Sequence, residues 1–244
     1  MKPDRDAYGH EIYAAFRGEG FNEIVERDDG LIGGMAGNVY FAEYKDWPEH
    51  EKKAIALARG CVLDIGSGAG RVSLYLQEKG HPVLAIDNSP LALKVCRLRG
   101  VRNTRLMSIT QLSSRARVGI FDTIVMFGNN FGLFGSFKRA RWLLRRFRSI
   151  TSPNAKIIAE TLNPYDTTEP EHLEYHRLNR RRGRMSGQLR LRVLFRKHRS
   201  PWFDYLFVSQ DELRLILKDT GWRLRKIIPS AGALYIAVIE KQQR

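Results

Sequence analysis

Short apolar runs alternate along this chain with segments of helical periodicity, and this alternation strongly constrains the fold. Seven runs are predicted to be strands, at residues 61–65, 82–86, 104–108, 121–127, 156–161, 223–228 and 234–240. Four helices are predicted between them, at residues 70–79, 90–98, 137–149 and 210–219. Gly80, Gly100 and Gly221 are placed as helix stop signals. Such βαβ units predict a three-layer α/β fold, in which helices cover both faces of a seven-stranded, mostly parallel sheet.

Two stretches lie outside this alternation. The first is the sixty residues before the first predicted strand, with helical patterns at residues 6–16 and 48–58. The second is residues 163–209, which is longer than a plain connection between elements. We therefore expect an N-terminal helical extension at residues 1–47, capping the functional site, and a main domain at residues 48–244 that carries an insertion at 163–209.

A strand pattern is visible inside the insertion. Leu189, Leu191 and Val193 alternate with polar neighbours that include Arg190 and Arg192. This period of two is typical of a strand with two different faces. The insertion is therefore predicted to form a small antiparallel β cap with one arginine-rich face.

A glycine-rich loop, Gly66-Ser67-Gly68-Ala69-Gly70, directly follows the first predicted strand and opens a helix. Its glycines let the backbone approach a ligand closely. A dinucleotide fingerprint would place its third glycine where this chain has Arg71, and no Gly-Lys-Ser or Gly-Lys-Thr follows to make a Walker loop. Asp87 ends the second predicted strand, 21 residues after Gly66, where a carboxylate can accept both hydroxyls of a ribose.

The order of these features resembles that of class I S-adenosylmethionine-dependent methyltransferases. Three segments carry the resemblance: Val62-Leu63-Asp64-Ile65-Gly66-Ser67-Gly68-Ala69-Gly70-Arg71, residues 83–87, and Phe121-Asp122-Thr123-Ile124-Val125. It extends over about residues 48–241. The resemblance implies a Rossmann-like form of the α/β fold and an enzyme that uses S-adenosylmethionine, releases S-adenosylhomocysteine and needs no metal.

The resemblance also implies which residues surround the methionyl part of the cofactor. These loop residues are Asp64, Gly66, Ser67, Gly68 and Gly70. Arg71 is either a further cofactor contact or a solvated residue of the helix. Tyr40, in the N-terminal extension, is expected either to close over the cofactor or to pack against the N-terminal helix.

Other cofactor contacts follow the later strands. By resemblance, Asp87 holds the ribose and Asn88 lies along the adenine. The family commonly places a carboxylate after the third strand, and here Ser108 stands in its place, so the Ser108 hydroxyl or the backbone of Ile109 would meet the adenine amino group. Phe127 follows the fourth strand and completes the predicted cofactor site.

The methyl acceptor is expected beside the residues after the fourth strand. The resemblance assigns Asn129 and Asn130 to this side of the site. A catalytic base is needed only for an acceptor that begins protonated. Tyr165 and His172 are the main candidates, and the others are His176, Tyr175, Tyr40 and Tyr44. His172 and His176 have an i, i+4 spacing, which suits a metal or a proton relay but also an ordinary polar helix surface.

Positive charge is the unusual feature of the composition. The net charge is +15, and residues 177–199 contain nine arginines and one lysine but no acidic residue. The residues predicted to bind an anionic acceptor are Arg180, Arg190, Arg192 and Tyr205. A small, polar or anionic metabolite is the favoured acceptor. RNA held through its phosphates is the alternative, and a non-catalytic module that only binds the cofactor is the third possibility.

No apolar run reaches the ~18 residues that a membrane span needs, and the first six residues lack the apolar core of a signal peptide. We therefore expect a cytoplasmic protein with no membrane partner. It is expected to be a monomer or a homodimer.

Overall fold

The computed structural model of this 244-residue chain describes residues 3–20, 22–36 and 39–243. The α-helices of this part are α1 Ala7–Phe16, α2 Glu49–Ile55, α3 Arg71–Glu78, α4 Pro90–Leu98, α5 Phe137–Phe147, α6 Pro170–Arg181 and α7 Gln210–Leu217. The strands are β1 Asn22–Arg27, β2 Ile32–Ala36, β3 Val62–Ile65, β4 Val83–Asp87, β5 Thr104–Leu106, β6 Phe121–Met126, β7 Thr151–Leu162, β8 Gln188–Phe195, β9 His198–Arg199, β10 Phe203–Leu206, β11 Trp222–Pro229 and β12 Leu234–Lys241.

Seven strands form the larger sheet, in the order β11-β12-β7-β6-β3-β4-β5. The pairs β4–β5 and β6–β7 are parallel, whereas β12 runs antiparallel to both β7 and β11. All seven strands predicted from the sequence are present, and β3 is buried along its whole length, as expected for a strand covered on both faces. The predicted Rossmann-like α/β fold with a mostly parallel sheet is confirmed.

A separate antiparallel sheet has the order β10-β8-β1-β2, and β9 pairs with β8. It contains the predicted arginine-bearing strand β8, paired with β1 from Ile24–Leu194 to Arg27–Leu191. The hairpin β1–β2 was not predicted, and the N-terminal extension is therefore partly β-structure. Asp29 stabilises its turn by accepting bonds from the Arg27 guanidinium at 2.8 and 2.7 Å and from the Leu31 N–H at 3.4 Å.

Two compact units divide the chain. The first comprises Met1–Trp47, Leu63–Ser108 and Arg190–Phe203, and the second comprises Pro48–Val62, Ile109–Leu189 and Asp204–Arg244. One core cluster of the first unit consists of Ile12, Ala69, Ala92 and Val95. In the second unit the indole of Trp222 is buried and donates to the Leu144 carbonyl at 2.8 Å. The division into an extension at 1–47 and a domain at 48–244 stays a prediction.

Several arginines of α5 bind backbone carbonyls within the second unit. Arg141 donates to the carbonyls of Leu215 and Lys218 at 3.1 and 2.6 Å, at the C-terminal end of α7. Arg148 donates to the Gly221 carbonyl at 2.7 Å. A cation at this end satisfies carbonyls that the helix leaves unpaired and complements its dipole. Within the described ranges, no helix is both long and apolar enough to cross a membrane.

Candidate functional site

The glycine-rich loop of the first unit connects β3 to α3. Gly66 donates its N–H to the Ile86 carbonyl at 2.9 Å, which fixes the start of the loop to the end of β4. Gly68 has a φ of +53°, and a Cβ atom there would lie 2.7 Å from the Tyr8 hydroxyl and 3.4 Å from the Tyr40 ring. Both the backbone conformation and the close approach of two tyrosines therefore require glycine at this position.

Asp87 lies at the end of β4 and is buried beside this loop. Its Oδ2 accepts the Gly68 N–H at 3.0 Å and its Oδ1 accepts the Ser89 N–H at 2.9 Å. Burial raises the pKa of Asp87 to about 6. A carboxylate can accept roughly four hydrogen bonds, so the backbone donors Gly68, Ser89 and Asn88 still leave capacity for a ribose hydroxyl. These residues fit the cofactor that the sequence predicts.

Asp64, directly before the loop, is another buried carboxylate of the first unit. The Ser73 hydroxyl of α3 donates to Asp64 Oδ2 at 2.6 Å, which clamps β3 to the helix that follows the loop. Burial raises the pKa of Asp64 to about 6, while the Ser73 bond acts in the opposite direction. Asp64 therefore holds the strand before the loop against the helix after it.

Arg99, which the sequence analysis did not single out, joins the loop to the N-terminal extension. Its guanidinium donates to the Ala69 carbonyl at 2.7 Å and to the Tyr40 carbonyl at 3.3 Å. The Tyr40 ring packs edge-on against Tyr8 of α1, with centroids 5.5 Å apart. Tyr40 thus packs against the N-terminal helix, one of the two expected alternatives, and its closure over the cofactor stays a prediction.

Asp6 is a further residue that the sequence analysis missed. It is fully buried and caps α1 by accepting the Gly9 N–H at 3.0 Å. Its Oδ2 also accepts the Ser89 hydroxyl at 2.9 Å and the Leu91 N–H at 3.2 Å, at the start of α4. In the sequence, an aspartate before a helix indicates only an N-cap. The contact of Asp6 with the start of α4 could not be predicted because 83 residues separate Asp6 from Ser89. This bond anchors the N-terminal helix to the segment that follows Asp87.

The remaining predicted cofactor residues have varied surroundings. The Arg71 guanidinium lies over the Trp47 ring, 4.7 Å from its centroid. Asn88 is exposed and Ser108 is half-buried. The residues of this set that are buried are Ser67, Ile109 and Phe127. Their roles toward the cofactor stay predictions.

Asn129 is the centre of a second arrangement, which lies in the second unit after β6. It adopts the left-handed conformation, with a φ of +62°. Its N–H donates to Glu160 Oε2 of β7 at 3.0 Å. Its carbonyl accepts the Tyr205 hydroxyl at 2.6 Å and the Gly132 N–H at 2.8 Å. Three different partners thus hold the backbone of a residue that the sequence assigned to the acceptor side; Asn130, next to it, begins a 3₁₀ turn.

Glu160 and His50 form a buried pair behind Asn129. Glu160 is 3% exposed and His50, in α2, is 7% exposed. His50 Nε2 lies 2.9 Å from Glu160 Oε1, at hydrogen-bond distance. Sequence reasoning missed both residues because 110 positions separate them and no local pattern connects them.

Tyr165 and His172, the candidate bases, lie in the insertion. The Tyr165 hydroxyl donates to Glu212 Oε1 at 2.8 Å, and burial raises the pKa of this phenol. His172 and His176 both lie on α6. His172 is half-buried, whereas His176 is buried and its ring centroid lies 5.8 Å from that of Tyr165. Within residues 3–20, 22–36 and 39–243, no three His, Cys, Asp or Glu side chains are grouped to hold a metal ion.

The predicted anion-binding residues already have protein partners. Arg192 makes a two-point contact with Glu26 of β1 at 2.7 and 2.9 Å and lies over the Trp202 ring at 4.6 Å. Arg180 donates to the Ser186 hydroxyl at 3.0 Å. Arg190 is half-buried on β8, and Tyr205 binds Asn129 as described above.

Sequence comparisons identify relatives of this chain. A family model described as a methyltransferase domain matches residues 41–227. The ubiquinone biosynthesis O-methyltransferase of Xanthomonas euvesicatoria is 28% identical over 120 residues, which are 47% of this chain and 48% of that protein. Its counterpart in Xanthomonas oryzae is 29% identical over 112 residues, which are 44% of this chain and 45% of that protein. The match thus spans about half the length of these curated relatives.

Solved structures share the fold. A SAM-dependent methyltransferase from Bacteroides fragilis, in complex with S-adenosyl-L-homocysteine, superimposes with a TM-score of 0.84 at 24% identity, over 100% of this chain and 98% of the other. The CcbJ methyltransferase from Streptomyces caelestis gives 0.60 at 16% identity, over 84% of this chain and 98% of the other.

The family match covers most of the chain and includes the glycine loop, Asp64, Asp87 and Asn129. The predicted class and its cofactor, S-adenosylmethionine, are therefore confirmed. The chain belongs to the methyltransferase domain family, and it shares the fold of solved SAM-dependent methyltransferases.

Proposed function

We propose that the protein transfers the methyl group of S-adenosylmethionine to a small, polar or anionic metabolite. The observation that carries this proposal is the contact between the Gly68 N–H and Asp87, which joins the glycine loop to a buried carboxylate in the first unit. The oxygen acceptor named for the Xanthomonas relatives supports a small hydroxyl compound as substrate.

The residues of the first unit would hold the cofactor from several directions. The backbone of the loop Gly66-Ser67-Gly68-Ala69-Gly70 would follow its methionyl part, and Asp87 would accept the ribose hydroxyls. Tyr40 and Tyr8 lie against Gly68 and would exclude water from that side. When bound, S-adenosylmethionine supplies a methyl group activated by the positively charged sulfur.

Positioning is the main task left to the protein, because displacement at a sulfonium methyl needs little more than an aligned lone pair and a dry site. We assign the acceptor side to Asn129 and Asn130. Tyr165 is a poor candidate base, because its raised pKa and its bond to Glu212 keep the phenol protonated near neutral pH.

RNA is the less favoured acceptor. Arg141 of α5 and Arg148, directly after that helix, are committed to backbone carbonyls. Within the insertion, Arg192 and Arg196 pair with Glu26 and Glu19, so acidic residues from elsewhere in the chain offset the charge that a phosphate backbone would need.

The test is calorimetric titration of S-adenosylmethionine and S-adenosylhomocysteine into protein freed of bound ligand. We expect micromolar affinity for the wild type and a loss of about 100-fold in Asp87→Ala. Asp87→Asn removes the charge, and because an amide has a single oxygen it also loses one of the two contacts with the Gly68 and Ser89 N–H groups. Asp211→Asn removes an exposed carboxylate and is the control. A wild type that binds neither compound would overturn the proposal.

The acceptor class is tested with a radiolabelled methyl donor. Labelled product should appear with a mixture of small hydroxy and amino acids and not with total RNA at physiological salt. Labelling of RNA that falls steeply between low and high salt would instead favour the RNA alternative.

A further inference from the structure

Side chains from three distant parts of the second unit converge on Asn129. Glu160 comes from β7, Tyr205 from β10, and His50 of α2 stands behind Glu160. The sequence separations of these contacts are 31, 76 and 110 residues. The proposed function uses only Asn129 from this group, and the task of the other residues is unassigned.

The backbone of Asn129 is held firmly. The left-handed conformation, with φ at +62°, is unusual for a residue with a side chain, although asparagine tolerates it better than most. The N–H is bound by Glu160, and the carbonyl is bound by the Tyr205 hydroxyl and the Gly132 N–H. Such conformations persist only where the surroundings enforce them, and they are concentrated at functional sites.

The side chain of Asn129 is not satisfied in the same way. Its Oδ1 is buried and has no hydrogen-bond partner among the described residues. A buried polar atom without a partner is costly, and proteins rarely leave one without a reason. Here the unpaired oxygen belongs to a residue whose backbone is fixed by three bonds, which is the combination that a preorganised binding group requires.

Resting on the proposed function, we propose that Asn129 Oδ1 accepts a hydrogen bond from a hydroxyl or amine N–H of the methyl acceptor, and that Glu160, supported by His50, positions it. The amide takes no proton; it orients the acceptor. Glu160 is a positioning residue because both of its oxygens already have protein partners. The acceptor class is thereby narrowed to compounds that carry a hydrogen-bond donor at or beside the methylated atom.

The probes are two pairs of compounds in which methylation removes this donor, and the loss of the preference in Asn129→Gly separates the donor from the added bulk. They are para-hydroxybenzoate with para-methoxybenzoate, and para-aminobenzoate with para-dimethylaminobenzoate. Binding to the full-length, S-adenosylhomocysteine-saturated protein is followed by NMR. We expect the wild type to prefer the donor compound of at least one pair by about tenfold, which is the effect of one hydrogen bond.

Asn129→Gly removes the amide and retains a residue that accepts a positive φ, so this variant should erase the preference while the affinity for S-adenosylhomocysteine is unchanged. Glu160→Ala should also erase it. Glu160→Gln should restore it, because an amide oxygen can still accept the Asn129 N–H and its NH₂ can donate to His50. Thr161→Val, at the next buried position of β7, is the control that retains the preference.

The outcomes separate this inference from the proposed function. If Asn129→Gly still prefers the donor compound, the inference about Asn129 is overturned. This result is decisive even if Glu160→Ala proves too unstable to study. A wild type that binds S-adenosylhomocysteine but does not distinguish either pair also overturns the inference. Failure of the wild type to bind S-adenosylhomocysteine contradicts the proposed function instead.

Discussion

Two turns of this protein, one in each unit, differ in how they are held in place. The turn Gly66-Ser67-Gly68-Ala69-Gly70 follows β3, and residues 127–130 follow β6; both contain residues with positive φ. The first turn is fixed by partners within one βαβ unit, since Asp64 binds Ser73 at a separation of 9 residues, Gly68 binds Asp87 at 19 and Arg99 binds the Ala69 carbonyl at 30. The second is fixed by Glu160 and Tyr205, at separations of 31 and 76.

This difference explains why only one of the turns can be recognised in the sequence. The first turn carries its own conformational signal in its glycines, and Asp87 follows at a distance that one βαβ unit dictates. The conformation of Asn129 depends on side chains that reach it only after the sheet has assembled. Local pattern therefore predicts the cofactor loop, and tertiary structure determines the second turn.

The largest expected effect is the loss of the carboxylate behind the second turn. Glu160→Ala leaves His50 and the Asn129 N–H buried without their partner, at about 1–3 kcal/mol for each group, so the free energy of unfolding should fall by about 4 kcal/mol. Glu160→Gln should cost about 1 kcal/mol. Urea unfolding measures both changes. Equal losses in the two variants would mean that packing, and not hydrogen bonding, holds this turn.

The first turn can be broken with a single methyl group. Gly70 has a φ of +84°, and a Cβ there would lie 2.8 Å from both Cys96 Sγ and Val101 Cγ2. Left-handed strain and overpacking together should make Gly70→Ala lose about 3 kcal/mol of unfolding free energy. Gly80 has the same φ but nothing within 4 Å, so Gly80→Ala isolates the backbone cost of about 1 kcal/mol. If urea unfolding showed the same loss of unfolding free energy in Gly70→Ala and Gly80→Ala, the contacts of the added Cβ with Cys96 and Val101 would not affect stability.

The fold was largely predictable because β3, β4 and β6 are mostly buried apolar runs, and a helix begins within a few residues of the ends of β3 and β4. The hairpin β1–β2 was missed because Gly33 and Gly34 interrupt the alternation of β2. Residues 177–199 contain no acidic residue, yet Arg192 pairs with Glu26 across 166 residues. Tyr205 was assigned to an anion because nothing local indicates that its hydroxyl binds the Asn129 carbonyl.

The pH dependence of cofactor binding tests the carboxylate beside the first turn. Burial raises the pKa of Asp87 to about 6. An ionised carboxylate accepts hydroxyl donors better than a protonated one, so the affinity for S-adenosylhomocysteine should fall by about tenfold between pH 7.5 and pH 5. Calorimetry across this range measures it, and Asp87→Asn should show a weak, nearly flat profile.

The same shift predicts the opposite trend for the stability of the ligand-free protein. A carboxyl group with a folded pKa above its ordinary value of 3.8 binds its proton more tightly in the folded state. Its contribution therefore favours the folded state at low pH and is lost as the pH rises from about 4 to about 6. Asp64, also raised to about 6, acts in the same direction, so Asp64→Asn and Asp87→Asn should each flatten part of this slope.

The smallest expected effect is on the Asn129 carbonyl of the second turn, which has two hydrogen-bond donors. Tyr205→Phe removes one of two donors to the Asn129 carbonyl, and the Gly132 N–H still binds it at 2.8 Å, so the loss should be about 0.5–1 kcal/mol. Tyr235→Phe is the matched control, because its buried hydroxyl donates to the Val208 carbonyl at 2.8 Å in the same unit.

A double-mutant cycle between Tyr205→Phe and Glu160→Gln sharpens this measurement. If the two side chains act together through the backbone of Asn129, their effects on urea unfolding should depart from additivity by about 0.5 kcal/mol or more. The pair Tyr235→Phe and Glu160→Gln should add without coupling. Additivity in both cycles would mean that Tyr205 and Glu160 stabilise the turn independently, and the second turn would then be held by separate contacts rather than by one network.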